Sequence, residues 1–92
     1  MPRESFDYVI SSEVRLTVLT TLSKSSSTPA QIARKVEKHL SHISRALREL
    51  EDRQLVSCLN PQDSKPRVYS LTSQGNDVCK QIERHQIYMH FR

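Results

Sequence analysis

The stretch from Thr28 to Arg48 concentrates side chains that can hold an anion. Arg34, Lys35 and Lys38 lie close together, and Arg45 and Arg48 follow at helical spacing. From Lys38 to Arg48 there is no carboxylate, and the polar groups in between are His39, Ser41, His42 and Ser44. A guanidinium presents a fork of N–H donors that fits a phosphate or the O6/N7 edge of guanine. A lysine ammonium is a point charge suited to phosphate oxygens. Hydroxyl and imidazole groups can add hydrogen bonds to base edges or backbone oxygens. The chemistry on offer is recognition of a polyanion, not the making or breaking of bonds.

The rest of the sequence lacks the parts of an enzyme. There is no Ser-His-Asp set, no paired-carboxylate pattern and no phosphate loop, and the single glycine rules out a glycine-rich cradle. Cys58 and Cys79 form neither a CxxC pair nor a disulfide framework, and each reads as a small core residue of a protein in a reducing compartment. His39, His42, His85 and His90 have no paired spacing that makes a metal site, the alternative being His85 and His90 with Cys79. No metal and no cofactor is expected. No apolar run approaches the ~18 residues of a membrane span, and Met1–Asp7 has no apolar core and reads as no signal peptide. The expected location is the cytoplasm, on the nucleoid.

Ninety-two residues with 36% hydrophobic and 26% charged side chains suit one domain, residues 1–92, with a modest core. A chain of this size buries about 60–65% of the surface its unfolded form exposes. The net charge of +4 is not something a fold of this size requires, so it points to a polyanionic partner.

Positioning the cations requires helices. Ser11-Ser12 can cap a first one over roughly Ser12 to Leu22, with Val14, Val18, Leu19 and Leu22 recurring at helical spacing. Ser23 to Ser27 is a polar connector. Thr28, Pro29 and Gln31 make the N-cap, N1 and N3 of a capping box, starting a short helix to Val36. After a turn at Glu37-Lys38-His39, Leu40, Ile43, Leu47 and Leu50, with Ala46, give the clearest helical period, up to about Gln54. On a helical wheel those residues face inward. The opposite side carries Ser41, Arg45 and Arg48, with His42 at its edge; Glu49 and Asp52 reach that side only later. A short turn between two such helices is the helix-turn-helix plan.

Leu55–Leu59 and Arg67–Leu71, around the loop Asn60–Pro66, read as a β-hairpin. Thr72-Ser73-Gln74-Gly75 then opens a last helix, roughly 73–90, with Val78, Ile82, His85 and Met89 on one stripe. The fold class is mainly α with a small β-hairpin (α+β): a three-helix core, a wing and a C-terminal helix, the core covering about 12–80.

Ile32-Ala33-Arg34-Lys35-Val36, then Leu40 to Val56, and later Arg67 to Gly75, resemble ArsR/MarR-type winged helix-turn-helix transcriptional regulators, especially the small archaeal ones. The resemblance covers roughly residues 12–80. It implies a sequence-specific regulator of double-stranded DNA, with the recognition helix in the major groove and the wing on the flanking backbone or minor groove. The residue chemistry gives the same assignment. Ser41, His42, Ser44, Arg45 and Arg48 are the candidate base readers. Thr28, Gln31, Arg34, Lys35, Lys38 and His39 are the candidate backbone contacts, and Lys65 and Arg67 the wing contacts.

Each position also has a plainer reading. Arg48 can pair with Asp52 at i+4, for about 0.3–0.5 kcal/mol. His39 and His42 read as capping or surface residues, and Lys65 and Arg67 can simply solubilise a hairpin. The stripe Val78, Ile82, His85, Met89 is either core packing or, as the resemblance suggests, the seam of a homodimer matched to palindromic half-sites; a homodimer is expected. The other function to weigh is a winged-helix module that binds protein in a transcription or RNA-processing assembly.

Relatives usually carry glycine where Glu37 and Gln54 stand, and a non-glycine residue in the left-handed region costs roughly 1 kcal/mol. Metal-sensing ArsR proteins place cysteines on the recognition helix, and none stands there. MarR proteins build a ligand pocket from long flanking helices, for which the termini here read as too short, so nothing in the sequence names an effector.

Overall fold

The computed structural model describes residues 3–62 and 66–90. In chain order these form α1 (Arg3–Ile10), α2 (Glu13–Leu22), α3 (Pro29–Val36), α4 (Leu40–Asp52), β1 (Val56–Cys58), β2 (Tyr69–Leu71) and α5 (Ser73–His90). Local chemistry sets the boundaries. The Ser12 side chain caps α2 by accepting the Arg15 N–H. At α3 both halves of the capping box are present: Thr28 Oγ1 accepts from Gln31 N at 3.1 Å, and Gln31 Oε1 accepts from Thr28 N at 2.9 Å.

Two helix ends use a left-handed residue that is not glycine. Glu37, at φ 58° and ψ 49°, follows α3, and the Lys38 N–H closes on the Ala33 carbonyl at 3.1 Å. Gln54, at φ 62°, follows α4. There the Leu55 N–H reaches the Leu50 carbonyl at 2.9 Å and the Gln54 N–H reaches that of Glu51 at 2.9 Å, the two bonds of a Schellman motif. Its accompanying apolar contact is also supplied, because Leu50 and Leu55 are both fully buried. The strain expected from the missing glycines is therefore present and is carried by the surrounding packing.

The wing is an antiparallel pair with Val56 opposite Leu71, Ser57 opposite Ser70 and Cys58 opposite Tyr69. Ser27, just before α3, adds a bridge to Tyr69 through two backbone hydrogen bonds of 3.1 and 2.9 Å. The wing is thereby fastened to the helix-turn-helix as well as to itself. Asn60 staples the hairpin base: its Oδ1 accepts the Val68 N–H and its Nδ2 donates to the Pro66 carbonyl, both at 2.8 Å.

One core joins these elements. Val18, Leu19, Ile32, Ile43, Leu47, Leu50, Leu55, Val56 and Val78 are buried to 1% exposure or less. Each such side chain contributes about 1.5–3 kcal/mol by leaving water.

Three expectations need correction. The helix expected from about Ser12 to Leu22 is not the first of the fold: Arg3–Ile10 form a helix before it, α1, which inserts Val9 into the core with Phe6 against its edge. The signal in the sequence is Phe6, Val9 and Ile10 at i, i+3 and i+4, one turn of helical spacing. Leu40 does not point inward; it is 51% exposed, because it is the first residue of α4 and the core contact begins one turn later, at Ile43. Val78 and Ile82 are not a free seam. They are 0% and 2% exposed, since α5 packs on α1, α2 and β2 of the same chain and uses that stripe to do so. His85 on the same stripe is exposed, with its ring edge-on to Phe6 at 5.8 Å. The Met89 side chain lies outside the described residues.

Candidate nucleic-acid interface

The surface begins on α3, whose Ile32 faces the core while Arg34 and Lys35 stand exposed. These two cations border a shallow groove of about 370 Å³ with Ser25, Ser26, Ser27 and Gln31. Thr28 and Gln31 use one polar atom each on the capping box, leaving the Thr28 hydroxyl hydrogen and the Gln31 amide N–H groups for an outside acceptor. Lys38 has an acidic neighbour within the chain. Its ammonium is 3.6 Å from Glu13 Oε1, so it ties the turn to the start of α2.

On α4 the amphipathic division follows the wheel from Ile43 onward. Ile43, Ala46, Leu47 and Leu50 are buried, whereas Ser41, His42, Arg45 and Arg48 are exposed and Ser44 is half-buried. His39 occupies the N-cap position with extended backbone but makes no side-chain capping bond. Its ring lies edge-on to that of His42 at 5.6 Å. Arg45 is 77% exposed and its Nε is 3.4 Å from Glu49 Oε2, an i,i+4 pair. Arg48 does not pair with Asp52; among the described residues it has no carboxylate within ion-pair distance. On the wing Arg67 is exposed, and Lys65 lies outside the described residues.

Sequence reasoning missed a second cluster behind this face. Arg15 on α2 is mostly buried, at 14% exposure, and its Nη1 is 3.4 Å from Glu49 Oε1. Its Nε and Nη2 donate to the Tyr8 carbonyl at the end of α1, and Nη2 also donates to Ser11 Oγ. The guanidiniums of Arg15 and Arg53 lie 3.9 and 3.8 Å from the Tyr8 ring centroid. No local pattern could announce contacts between residues 34 positions apart.

Of the three residues of the metal alternative, Cys79 and His85 can be placed. Cys79 is buried on α5, and burial, helped by the nearby Glu83 carboxylate, pushes its thiol up to about 11. His85 is exposed, and the His90 side chain lies outside the described residues. Among the described residues no three His, Cys, Asp or Glu side chains are placed to hold an ion. Among them, too, no helix is long and apolar enough to cross a membrane.

A helix-turn-helix with a stapled hairpin beside it, and with the second helix open along its polar flank, defines a MarR-like winged helix. Solved structures agree. ZitR from Lactococcus lactis superposes with a TM-score of 0.76 at 24% identity, over 84% of this chain and 53% of that one. The transcriptional regulator YodB from B. subtilis gives 0.78 at 18% identity, over 96% and 89%. MarR from E. coli gives 0.70 at 25% identity, over 85% and 59%. The chain thus spans about half the length of ZitR. No curated protein matches it. The chain belongs to the HVO_A0261 N-terminal domain family, which it matches over residues 3–89.

Proposed function

We propose that this chain is the DNA-binding module of a transcriptional regulator, sequence-specific for duplex DNA. Helix α4 enters the major groove by its N-terminal half, with the wing against the flanking backbone or minor groove. The observation that carries the reading is the division of α4: Ile43, Ala46, Leu47 and Leu50 are consumed by the core, and the surface from Ser41 to Arg48 is polar and cationic. That is the arrangement a recognition helix needs. Arg45 and Arg48 read base edges with Ser41, His42 and Ser44, while Arg34 and Lys35, aided by Thr28, Gln31 and His39, hold phosphates. Lys38 contributes once it leaves Glu13, and Lys65 and Arg67 contact the flank.

The module acts as a homodimer on paired half-sites. Since Val78 and Ile82 belong to the core, the partner sits against the outer side of α1 and the neighbouring turn of α5 at His85, where Ile10 is 40% exposed and His85 is exposed. Light scattering on Ile10→Glu should give half the native mass; an unchanged mass removes this surface.

Selection of bound duplexes from a random pool, followed by anisotropy titration at several salt concentrations, tests the whole reading. The expected affinity is nanomolar to micromolar and falls steeply with salt. Arg45→Ala should cost ~1–3 kcal/mol and relax preference at one base pair, whereas Lys35→Ala should weaken all sequences alike. Failure to bind any duplex in dilute salt overturns the reading. A protein-binding module is the second reading, favoured by Leu40 and Leu59, which are 51% and 59% exposed on the recognition helix and the wing. Leu40 equally fits apolar contact with a thymine methyl. Loss of duplex affinity in Leu40→Ser separates the two.

A further inference from the structure

Glu49 stands one turn beyond Arg45, at the edge of the exposed face of α4, and its carboxylate is divided between two arginines. Oε2 is 3.4 Å from Arg45 Nε, and Oε1 is 3.4 Å from Arg15 Nη1. The two partners differ in freedom. Arg45 is 77% exposed and can swing away, whereas Arg15 is 14% exposed. Arg15 is also fixed by the Tyr8 carbonyl, by Ser11 Oγ and by the face of the Tyr8 ring. One oxygen of Glu49 is therefore held by the frame of α1 and α2, while the other is offered to a candidate base reader.

A carboxylate and a nucleic-acid acceptor compete for the same guanidinium fork. We propose that Glu49 is an internal counter-ion that keeps Arg45 laid along α4 in the free protein and yields it when an acceptor on DNA takes its place. Arg15 is the positioning residue that sets how strongly Glu49 competes. The inference rests on α4 being the groove-reading helix. Arg15 shares the charge of Glu49, so its removal leaves Arg45 as the sole ionic partner among the described residues and tightens that pair. Removal of the Glu49 charge has the opposite effect and frees Arg45 for any polyanion, including a phosphate at a wrong site.

The test is a double-mutant cycle on the full chain, using Arg15→Gln, Glu49→Gln and both together, titrated against a labelled random-sequence duplex at several salt concentrations. Glu49→Gln should raise affinity about two- to fivefold, the range expected for releasing one exposed ion pair. It should also steepen the salt dependence by about one phosphate contact. Arg15→Gln should lower affinity by a similar factor, and should have no effect once Glu49 is Gln. A merely structural Arg15 would weaken binding equally in both backgrounds, and that result overturns the proposal, as does weaker binding by Glu49→Gln. The Arg45 Nε–H resonance of the free protein supplies a reading that needs no DNA. It should shift and exchange faster with solvent in Glu49→Gln; an unchanged resonance also overturns the proposal. If the unmutated chain ignores duplexes while that resonance responds, the DNA-binding reading fails and the counter-ion stands.

Discussion

Replacing Gly75 by alanine should destabilise the domain, although alanine is the better helix former. Gly75 lies in the first turn of α5, where its N–H donates to Thr72 Oγ1 at 3.0 Å. A Cβ built there would sit 2.0 Å from the Leu55 carbonyl oxygen and 3.3 Å from Leu71 Cδ2. That oxygen cannot move aside freely, because it accepts the Thr72 N–H at 3.1 Å and belongs to a fully buried residue. Thr72 is itself anchored by donating from Oγ1 to the Gln54 carbonyl at 2.7 Å. Forcing a methyl group into this joint costs about 1–3 kcal/mol. Weakening the Thr72–Leu55 hydrogen bond costs about 1 more, which the better helix propensity of alanine returns at about 1. The net loss is about 1–3 kcal/mol, and at about 4–8 °C per kcal/mol for a domain of this size the melting temperature falls by roughly 4–24 °C. Thermal unfolding followed by circular dichroism measures it, with Gln74→Ala, exposed in the same turn, as the control expected to stay within about 0.5 kcal/mol. An unchanged or raised melting temperature for Gly75→Ala would refute the claim that close backbone approach, rather than turn geometry, requires this glycine.

Glu37→Gly and Gln54→Gly should each stabilise the domain by about 0.5–1 kcal/mol, because both residues hold positive φ; denaturant midpoints that fall instead would show that the side chains contribute more than the strain removes. Cys79 should resist a thiol reagent in the native state while the half-buried Cys58 reacts, since a thiol raised to about 11 is about one part in a thousand thiolate at pH 8. The folded state favours the neutral thiol, so its contribution to stability is complete below the ordinary value of 9.0 and is lost as pH rises toward about 11. Equal native reaction rates for the two cysteines would contradict the burial argument.

The parts of the fold readable in the sequence are those with short-range causes. Thr28, Pro29 and Gln31 announce the start of α3 through a bond network that spans only four residues, and the period Ile43, Leu47, Leu50 announces the buried side of α4. The wing was legible from its two prolines and polar loop. What stayed hidden has long-range causes. Helix α1 exists because Val9 finds a core built by later elements and because Arg15 satisfies the Tyr8 carbonyl. The stripe on α5 was visible as apolar, but pattern alone cannot tell whether it is covered by the same chain or by a second one; for Val78 and Ile82 the packing of α5 on α1, α2 and β2 answers it. Of the candidate base readers, Ser41, His42, Arg45 and Arg48 lie on the exposed flank and Ser44 is half-buried; the ion pairs of Arg45 with Glu49 and of Lys38 with Glu13 were not legible, because they form through rotamer choice or the tertiary fold.

Helix α4 breaks the charge rules that its neighbours obey. Helix α2 starts with a serine cap and Glu13, and α3 ends with Arg34 and Lys35, each complementing its helix dipole. Helix α4 has no acidic residue in its first turn, no side-chain cap and no basic residue in its last turn. A helix start that the protein leaves bare is a place where a phosphate can supply the missing negative charge. Stability and binding should therefore separate at His39. The residue already has the extended backbone of an N-cap, so His39→Ser should add about 1 kcal/mol by accepting from the first-turn amides, raising the melting temperature by about 4–8 °C. His39→Asp should stabilise to a similar degree, with a small further gain from the helix dipole, yet weaken binding to every duplex by placing a fixed carboxylate at the proposed phosphate contact. Melting curves and salt-dependent titrations on the same two variants decide the matter. If the aspartate variant binds DNA as tightly as the serine variant, the open end of α4 does not face the phosphate backbone.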